Sequence, residues 1–251
     1  MHELEINQDM TLTTMELLQN RQRQTTGISK DTHAGPGFLA IPKVEGQVPG
    51  LVILQEVFGL NDDIKRIARE FAMEGYAVFA PDLYGGLVTS DLDEARKLRG
   101  NMDVEKAGRD IDEAVRYLKS LDAVAGGPVG VIGFCMGGSL SLGTAMRNRD
   151  ISAAAIFYGG GGVPENLEQI RCPVFGAYGI EDTGIPIEVV EEFRQALDAH
   201  SIENEIHIYE KAGHSFFNDV MPGSYRNEVA EISRRDVLDF FERVLALKRA
   251  Q

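Results

Sequence analysis

The sequence predicts an α/β fold with a mostly parallel central sheet and helices on both of its faces. Three observations carry this. From Gly35 onward, short apolar runs alternate with amphipathic stretches of helix length, the pattern of strands buried from both sides. No internal repeat, low-complexity tract or linker rich in proline and serine breaks the alternation. A chain of 251 residues, 43% of them hydrophobic, is long enough for one full-sized core.

In chain order, residues 1–30 form a polar N-terminal extension, and 31–251 form the main domain. Within the extension, Leu4, Ile6, Met10, Leu12, Met15, Leu17 and Leu18 suit one short amphipathic helix, followed by a basic, frayed stretch from Arg21 to Lys30. Such an extension packs over the domain, bridges to a second subunit in a homodimer, or is partly mobile, and the sequence does not choose among these. Strands are expected at Gly37 to Ile41 and Leu51 to Leu54, a helix at Asp62 to Met73, and a strand at Ala77 to Ala80. Tyr84 to Asp103 departs from the pattern. Its Gly85, Gly86 and mixed polarity mark a lid over the C-terminal edge of the sheet, where open α/β sheets place ligands, with a helix at Leu92 to Arg99 inside it. Then come a helix at Val104 to Lys119, a strand at Val129 to Ile132, a helix at Met136 to Met146 and strands at Ala153 to Tyr158 and Val174 to Tyr178. A helix at Ile187 to Ala199, a strand at Glu205 to Tyr209 and a helix at Asn227 to Leu247 complete the chain.

The formal net charge of −14 would repel phosphate backbones and anionic lipid, so nucleic acid and membrane surfaces are not expected partners. No apolar stretch approaches membrane-spanning length, and the start Met1-His2-Glu3-Leu4-Glu5 lacks the features of a secretory signal. A cytoplasmic location is therefore expected, with Cys135 and Cys172 as free thiols. No spacing of Cys and His suits a metal, and the glycine run Gly159 to Gly162 lacks the spacing of a phosphate loop, so neither metal nor cofactor is expected.

The strongest local signal is Val129-Gly-Val-Ile-Gly-Phe-Cys-Met-Gly-Gly-Ser139, a G-x-C-x-G pattern between a strand and a helix. A nucleophile at such a turn takes a strained backbone, and the flanking glycines let strand and helix approach closely. Cys135 is the candidate nucleophile. The N–H of Met136, at the helix start, is one half of an oxyanion hole, and that of Val57, after an earlier strand, is the other. The helix dipole favours thiolate over thiol. Cys172 opens a strand before Pro173 without such glycines and reads as a buried hydrophobe.

Of five histidines, His2 and His33 precede the first confident pair of strands, His200 ends a helix and His207 alternates within a strand. His214 follows the last strand in Ala212-Gly-His-Ser-Phe-Phe217, where an imidazole could meet the thiol as general base. The orienting acid should follow the preceding strand, where Glu181 and Asp182 compete. Asp182 is preferred, because it sits in a turn just before the proline that opens the next helix. The order nucleophile, acid, histidine supports the assignment.

With Gln55-Glu-Val-Phe-Gly59, Pro81-Asp-Leu-Tyr84, Gly133-Phe-Cys-Met-Gly-Gly138 and Ala212-Gly-His-Ser-Phe216 in place, the sequence resembles the dienelactone hydrolase family from about residue 35 to its end. The resemblance implies an α/β-hydrolase fold and a carboxylic ester hydrolase that cleaves a small ester or lactone through a thioester. It also implies that Glu56 hydrogen-bonds or deprotonates the thiol, with Tyr84, Phe58, Ser215 and Phe216 as candidate substrate contacts. Family enzymes acting on dienelactone use arginines to hold the substrate carboxylate, one just beyond the Pro81-Asp-Leu-Tyr84 tyrosine and one four residues after the histidine. Here those places hold Gly86 and Asn218, which argues against dienelactone itself. Arg96, Lys97, Arg99 and Arg226 are the available substitutes. A thioesterase or acyl-transfer enzyme is the alternative within the same machinery, and a non-catalytic ligand-binding module is the alternative outside it.

Overall fold

The computed structural model describes residues 28–33 and 36–246; the helix expected within residues 1–30, and His2, lie outside them. Among the described residues eight strands form one sheet: β1 (Ile28–His33), β2 (Gly37–Pro42), β3 (Gly50–Leu54), β4 (Ala77–Pro81), β5 (Val129–Phe134), β6 (Ile151–Phe157), β7 (Val174–Gly179) and β8 (Asn204–Tyr209). They lie in the order β1-β2-β4-β3-β5-β6-β7-β8. The β1–β2 and β2–β4 pairs are antiparallel and the remaining pairs parallel. β1 is a strand that the sequence pattern does not announce: Ile28-Ser-Lys-Asp-Thr-His33 is polar and, among the described residues, pairs only with β2. It overlaps the end of the stretch expected to fray.

Six α-helices occur among the described residues, α1 (Asp62–Met73), α2 (Leu92–Asn101), α3 (Val104–Ser120), α4 (Met136–Arg147), α5 (Ile187–Ala199) and α6 (Asn227–Val244); all but α2 cover the sheet, and α2 buries Ala95 against Val57, Phe58 and Met136. The first three start on side-chain caps: Asn61, Asp91 and Asp103 accept the N–H groups of Ile64, Glu94 and Lys106, satisfying donors that an α-helix leaves free. Alternation along the strands divides the core. Ile53, Ile132, Phe134, Phe157 and Phe175 face α1 and α6, whereas Val52, Val131, Ala154, Ile156 and Val174 face α3, α4 and α5.

The order β4-β3-β5 places the topological switch at β3 and β5, because the chain winds one way from β3 to β4 and then crosses to the other side for β5. Ligands of such sheets bind outside the carboxyl ends of the strands at this point. The β3–β5 register pairs Leu54 with Gly133, so Glu56–Val57 and Cys135–Met136 emerge beside each other.

Candidate active site

At the end of β5 the chain turns into α4 through Cys135, whose φ of 52° and ψ of −113° put a side-chain-bearing residue in a region that favours glycine. Its neighbours make the turn feasible. A Cβ on Gly133 would lie 2.0 Å from the Gly137 carbonyl oxygen, and one on Gly137 would lie 2.3 Å from the Leu54 carbonyl oxygen. Gly138 in turn packs on Gly159, the first glycine of the run after β6.

The elbow delivers the thiol to the histidine. Cys135 Sγ and His214 Nε2 are 3.1 Å apart, and His214 Nδ1 lies 2.7 Å from Asp182 Oδ2. The other Asp182 oxygen accepts the N–H groups of Gly184 and Ile185 at 2.8 and 3.1 Å, which fixes the carboxylate at the mouth of α5. Burial opposes ionisation of Asp182, but the histidine and these donors outweigh it and hold the carboxyl below the usual range. At His214 burial also opposes the charged form, yet the hydrogen bonds and charges of Asp182 and Cys135 push the imidazole up to about 10. Glu181 is exposed, and Asp182 is the acid brought to the histidine.

Met136 is the first residue of α4, so its N–H has no acceptor inside the helix. Val57, Phe58, Met136 and Ala95 form one cluster, against which Cys135, Tyr84 and Met221 pack. Both N–H groups proposed for an oxyanion thus come from segments gathered around the thiol. Tyr84 donates its hydroxyl to Met136 Sδ at 3.2 Å. Its loop is held by Asp82, which accepts the N–H groups of Tyr84 and Gly86, and by Gln55, which accepts that of Leu83.

Glu56 has a different partner from the one implied by resemblance. It is buried, and its Oε2 accepts the amide of Asn218, while the side-chain hydrogen bond of Cys135 goes to His214. Oε1 lacks a hydrogen bond of normal geometry, although the Tyr158 and Ser215 hydroxyls are close enough to favour the carboxylate. Burial dominates and raises the carboxyl toward its neutral form. Asn218, at an expected arginine place, therefore serves Glu56 as an uncharged partner. Gly86 offers only its N–H, which is taken by Asp82.

Among the candidate substrate contacts, Phe58 and Tyr84 border the site, but Phe216 does not. It is wholly buried among Phe157, Tyr158 and Tyr209, inside the aromatic core, and is corrected to a packing residue. Ser215 is buried too, with φ of 60°, beside Glu56. The sequence reading missed Tyr158. Fully buried, with φ of 39°, it sets its ring edge-on to His214 at 5.3 Å between centroids. Its place at the end of β6, just before the glycine run, was the available signal. Of the substitute cations, Arg96 pairs with Asp93, Arg226 donates to the carbonyls of Gly223 and Tyr225, and Arg99 lies near Tyr84, whose phenol burial pushes up to about 12 against the pull of that guanidinium. Lys97 is exposed.

His200 caps the end of α5, and His207 stacks on Phe175 and Tyr209 in β8, both apart from the thiol. Cys172 is a buried free thiol, pushed up to about 12 by burial. Among the described residues, no group of His, Cys, Asp and Glu is arranged to hold a metal, and no helix is long and apolar enough to cross a membrane.

The sequence profile of the dienelactone hydrolase family matches residues 36–245. The chain belongs to this family of hydrolases. A protein of Synechocystis described as a carboxymethylenebutenolidase is 31% identical over 225 residues, spanning 82% of this chain and 90% of that one. A Bradyrhizobium protein described as a 2-oxo-3-(5-oxofuran-2-ylidene)propanoate lactonase is 29% identical over 226 residues, covering 84% and 90%. The crystal structure of a protein described as a dienelactone hydrolase from Klebsiella pneumoniae superposes with a TM-score of 0.75 at 28% identity, over 87% of this chain and 97% of that chain. The α/β-hydrolase fold and the family are thus those expected from the sequence.

Proposed function

We propose that this hydrolase cleaves a small carboxylic ester or lactone through a thioester on Cys135, with His214 as the base and Asp182 as its orienting acid. The observation that carries the reading is the unbroken relay from Sγ through the imidazole to the carboxylate, 3.1 and 2.7 Å long. The relay starts from a strained residue whose following N–H belongs to a helix start. The names of the Synechocystis and Bradyrhizobium relatives support an ester or lactone as substrate.

In the proposed reaction His214 takes the thiol proton, and the thiolate adds to the substrate carbonyl. The Met136 and Val57 N–H groups receive the oxyanion. The tetrahedral intermediate collapses as the C–O bond breaks, and the departing alkoxide takes the proton from His214. Once the sulfur is acylated it carries no charge, so the part of the His214 shift that comes from Cys135 disappears. The imidazole becomes more easily neutral at the step that needs a base for water. Water then gives a proton to His214 and its hydroxyl to the carbonyl carbon, releasing the acid and restoring the thiol. No cofactor enters these steps. Glu56, bound to Asn218 and raised by burial, is placed to anchor the histidine loop, and His214 is the base for the thiol.

Intact mass after brief exposure to activated esters and small lactones tests the reading. His214→Ala is expected to accumulate an acyl adduct on Cys135, formed by the residual thiolate, while the parent turns over without one and Cys135→Ser is far slower. A parent that hydrolyses esters while Cys135 is never acylated in any variant would overturn the covalent route.

A further inference from the structure

A cavity of about 550 Å3 opens between three loops: the Phe58, Asn61–Asp63 segment after β3, Val88–Ser90 at the base of the lid, and Val220–Met221 after the histidine. Small-molecule sites occupy about 300–1,000 Å3. Two of its walls also belong to the surroundings of the thiol: Phe58 and Met221 share a cluster with Val57 and Met136, and Cys135 packs against it. The cavity begins where the proposed reaction centre ends.

Its chemistry is selective. Phe58, Val88, Val220 and Met221 supply apolar wall, and Asn61, Thr89 and Ser90 supply neutral polar groups. Val88 and Val220 are 55% and 58% exposed, next to Leu87 at 57%, so an apolar rim surrounds the opening, as expected for a ligand with apolar surface. Among the described residues, no lysine or arginine lines it. Of its two acids, Asp62 has a fully exposed side chain, and Asp63 is engaged by Arg66 at 2.5 Å. Among the described residues, a carboxylate on the substrate would find no cation in the cavity, none at Gly86, and at Asn218 an amide already bound to Glu56.

We propose that this cavity holds the uncharged, apolar arm of the ester, so that the enzyme prefers neutral substrates with an alkyl or aryl arm over carboxylate-bearing lactones. The proposal rests on the ester-hydrolase reading above.

Steady-state kcat/KM is measured on 4-nitrophenyl acetate, butyrate and hexanoate and on ethyl and hexyl acetates. A succinate monoester and a trimethylammonium ester matched to neutral isosteres complete the series. The parent, Val88→Asp and Val220→Asp are compared, two exposed positions outside the relay. The parent should gain about tenfold or more from four added methylenes, a part of the full transfer effect of burying them. The aspartates should remove most of that gain, lowering kcat/KM for the hexanoate or hexyl ester far more than for 4-nitrophenyl or ethyl acetate. Whether the acyl or the alkyl series shows the gain identifies which arm occupies the cavity. Flat chain-length profiles with acetate still hydrolysed and Cys135 still acylated overturn the cavity assignment and leave the hydrolase reading standing. Faster turnover of the succinate or trimethylammonium ester than of its neutral isostere overturns the selectivity. If the parent hydrolyses no ester and Cys135 takes no acyl group, both readings fall together.

Discussion

His214 has a partner on each ring nitrogen, Asp182 on one and Cys135 on the other, and its protonation depends on both. Its pKa rises from 6.5 to about 10 on folding. The imidazolium interaction therefore contributes fully to stability below pH 6.5 and is lost as pH rises through about 10. The side chain is 38% exposed, so solvent screening reduces the size of the effect. An NMR titration of the imidazole C–H resonances should place His214 well above the pKa of a free histidine. Asp182→Asn and Cys135→Ser should each bring it down by removing one partner. A parent titration near 6.5 would mean that the relay holds a neutral imidazole. Asp182 is shifted the opposite way, so its contribution persists above the ordinary carboxylate range and is lost as pH falls through its lowered value.

At the scale of elements, strand-to-helix contacts at the elbow are backbone against backbone. An added methyl on Gly137 has nowhere to go, since its Cβ would meet the Leu54 and Gln55 carbonyl oxygens at 2.3 and 2.7 Å. Gly143, in the same helix, has only the end of the Arg147 side chain within reach, at 3.7 Å. Urea unfolding should show Gly137→Ala destabilised by about 1–3 kcal/mol or more through overpacking. Gly143→Ala should be unchanged or more stable by about 0.5–1 kcal/mol, because it relieves the entropy cost of glycine in a helix. Equal effects would mean that β3 does not constrain α4. The strand β1 shows where periodicity fails. A polar strand with one neighbour among the described residues needs no apolar run, and its pairing with β2 is what defines it.

Across the whole molecule, α1 is tied to the histidine loop by charge. Arg66 reaches Asp63 and Glu70 on its own helix, at 2.5 and 2.6 Å, and Asp219 at 3.1 Å on the loop that also carries Asn218 to Glu56. Asp63 is pushed up to about 7, chiefly by burial and further by its neighbour Asp219, against the pull of Arg66. A carboxyl raised in the folded state binds more protons there than when unfolded. Its contribution is thus fullest below pH 3.8 and is lost as pH rises through about 7. Asp63→Asn should therefore gain stability relative to the parent between pH 4 and pH 8 in thermal unfolding. A difference that does not vary with pH would show that Asp63 stays ionised throughout.

What was legible in the sequence is local. Runs and periods set the strands and helices to within a few residues, since alternation and amphipathicity act over a turn or two. Gly133 and Gly137 around Cys135 marked a tight turn, and the ends of β7 and β8 pointed to Asp182 and His214. The rest depended on which strand ends the sheet brings together. Leu54 opposite Gly133 places Val57 beside Met136, and the Glu56–Asn218 bond joins residues 162 positions apart. Phe216 reads as a site residue from its neighbours in sequence but lies in the core, because the turn at Ser215 directs it inward. Sequence proximity fixed the chemistry available at each strand end, whereas the crossover order and register of a parallel sheet decided which of those groups meet. Such pairings are long-range and leave no period in the chain.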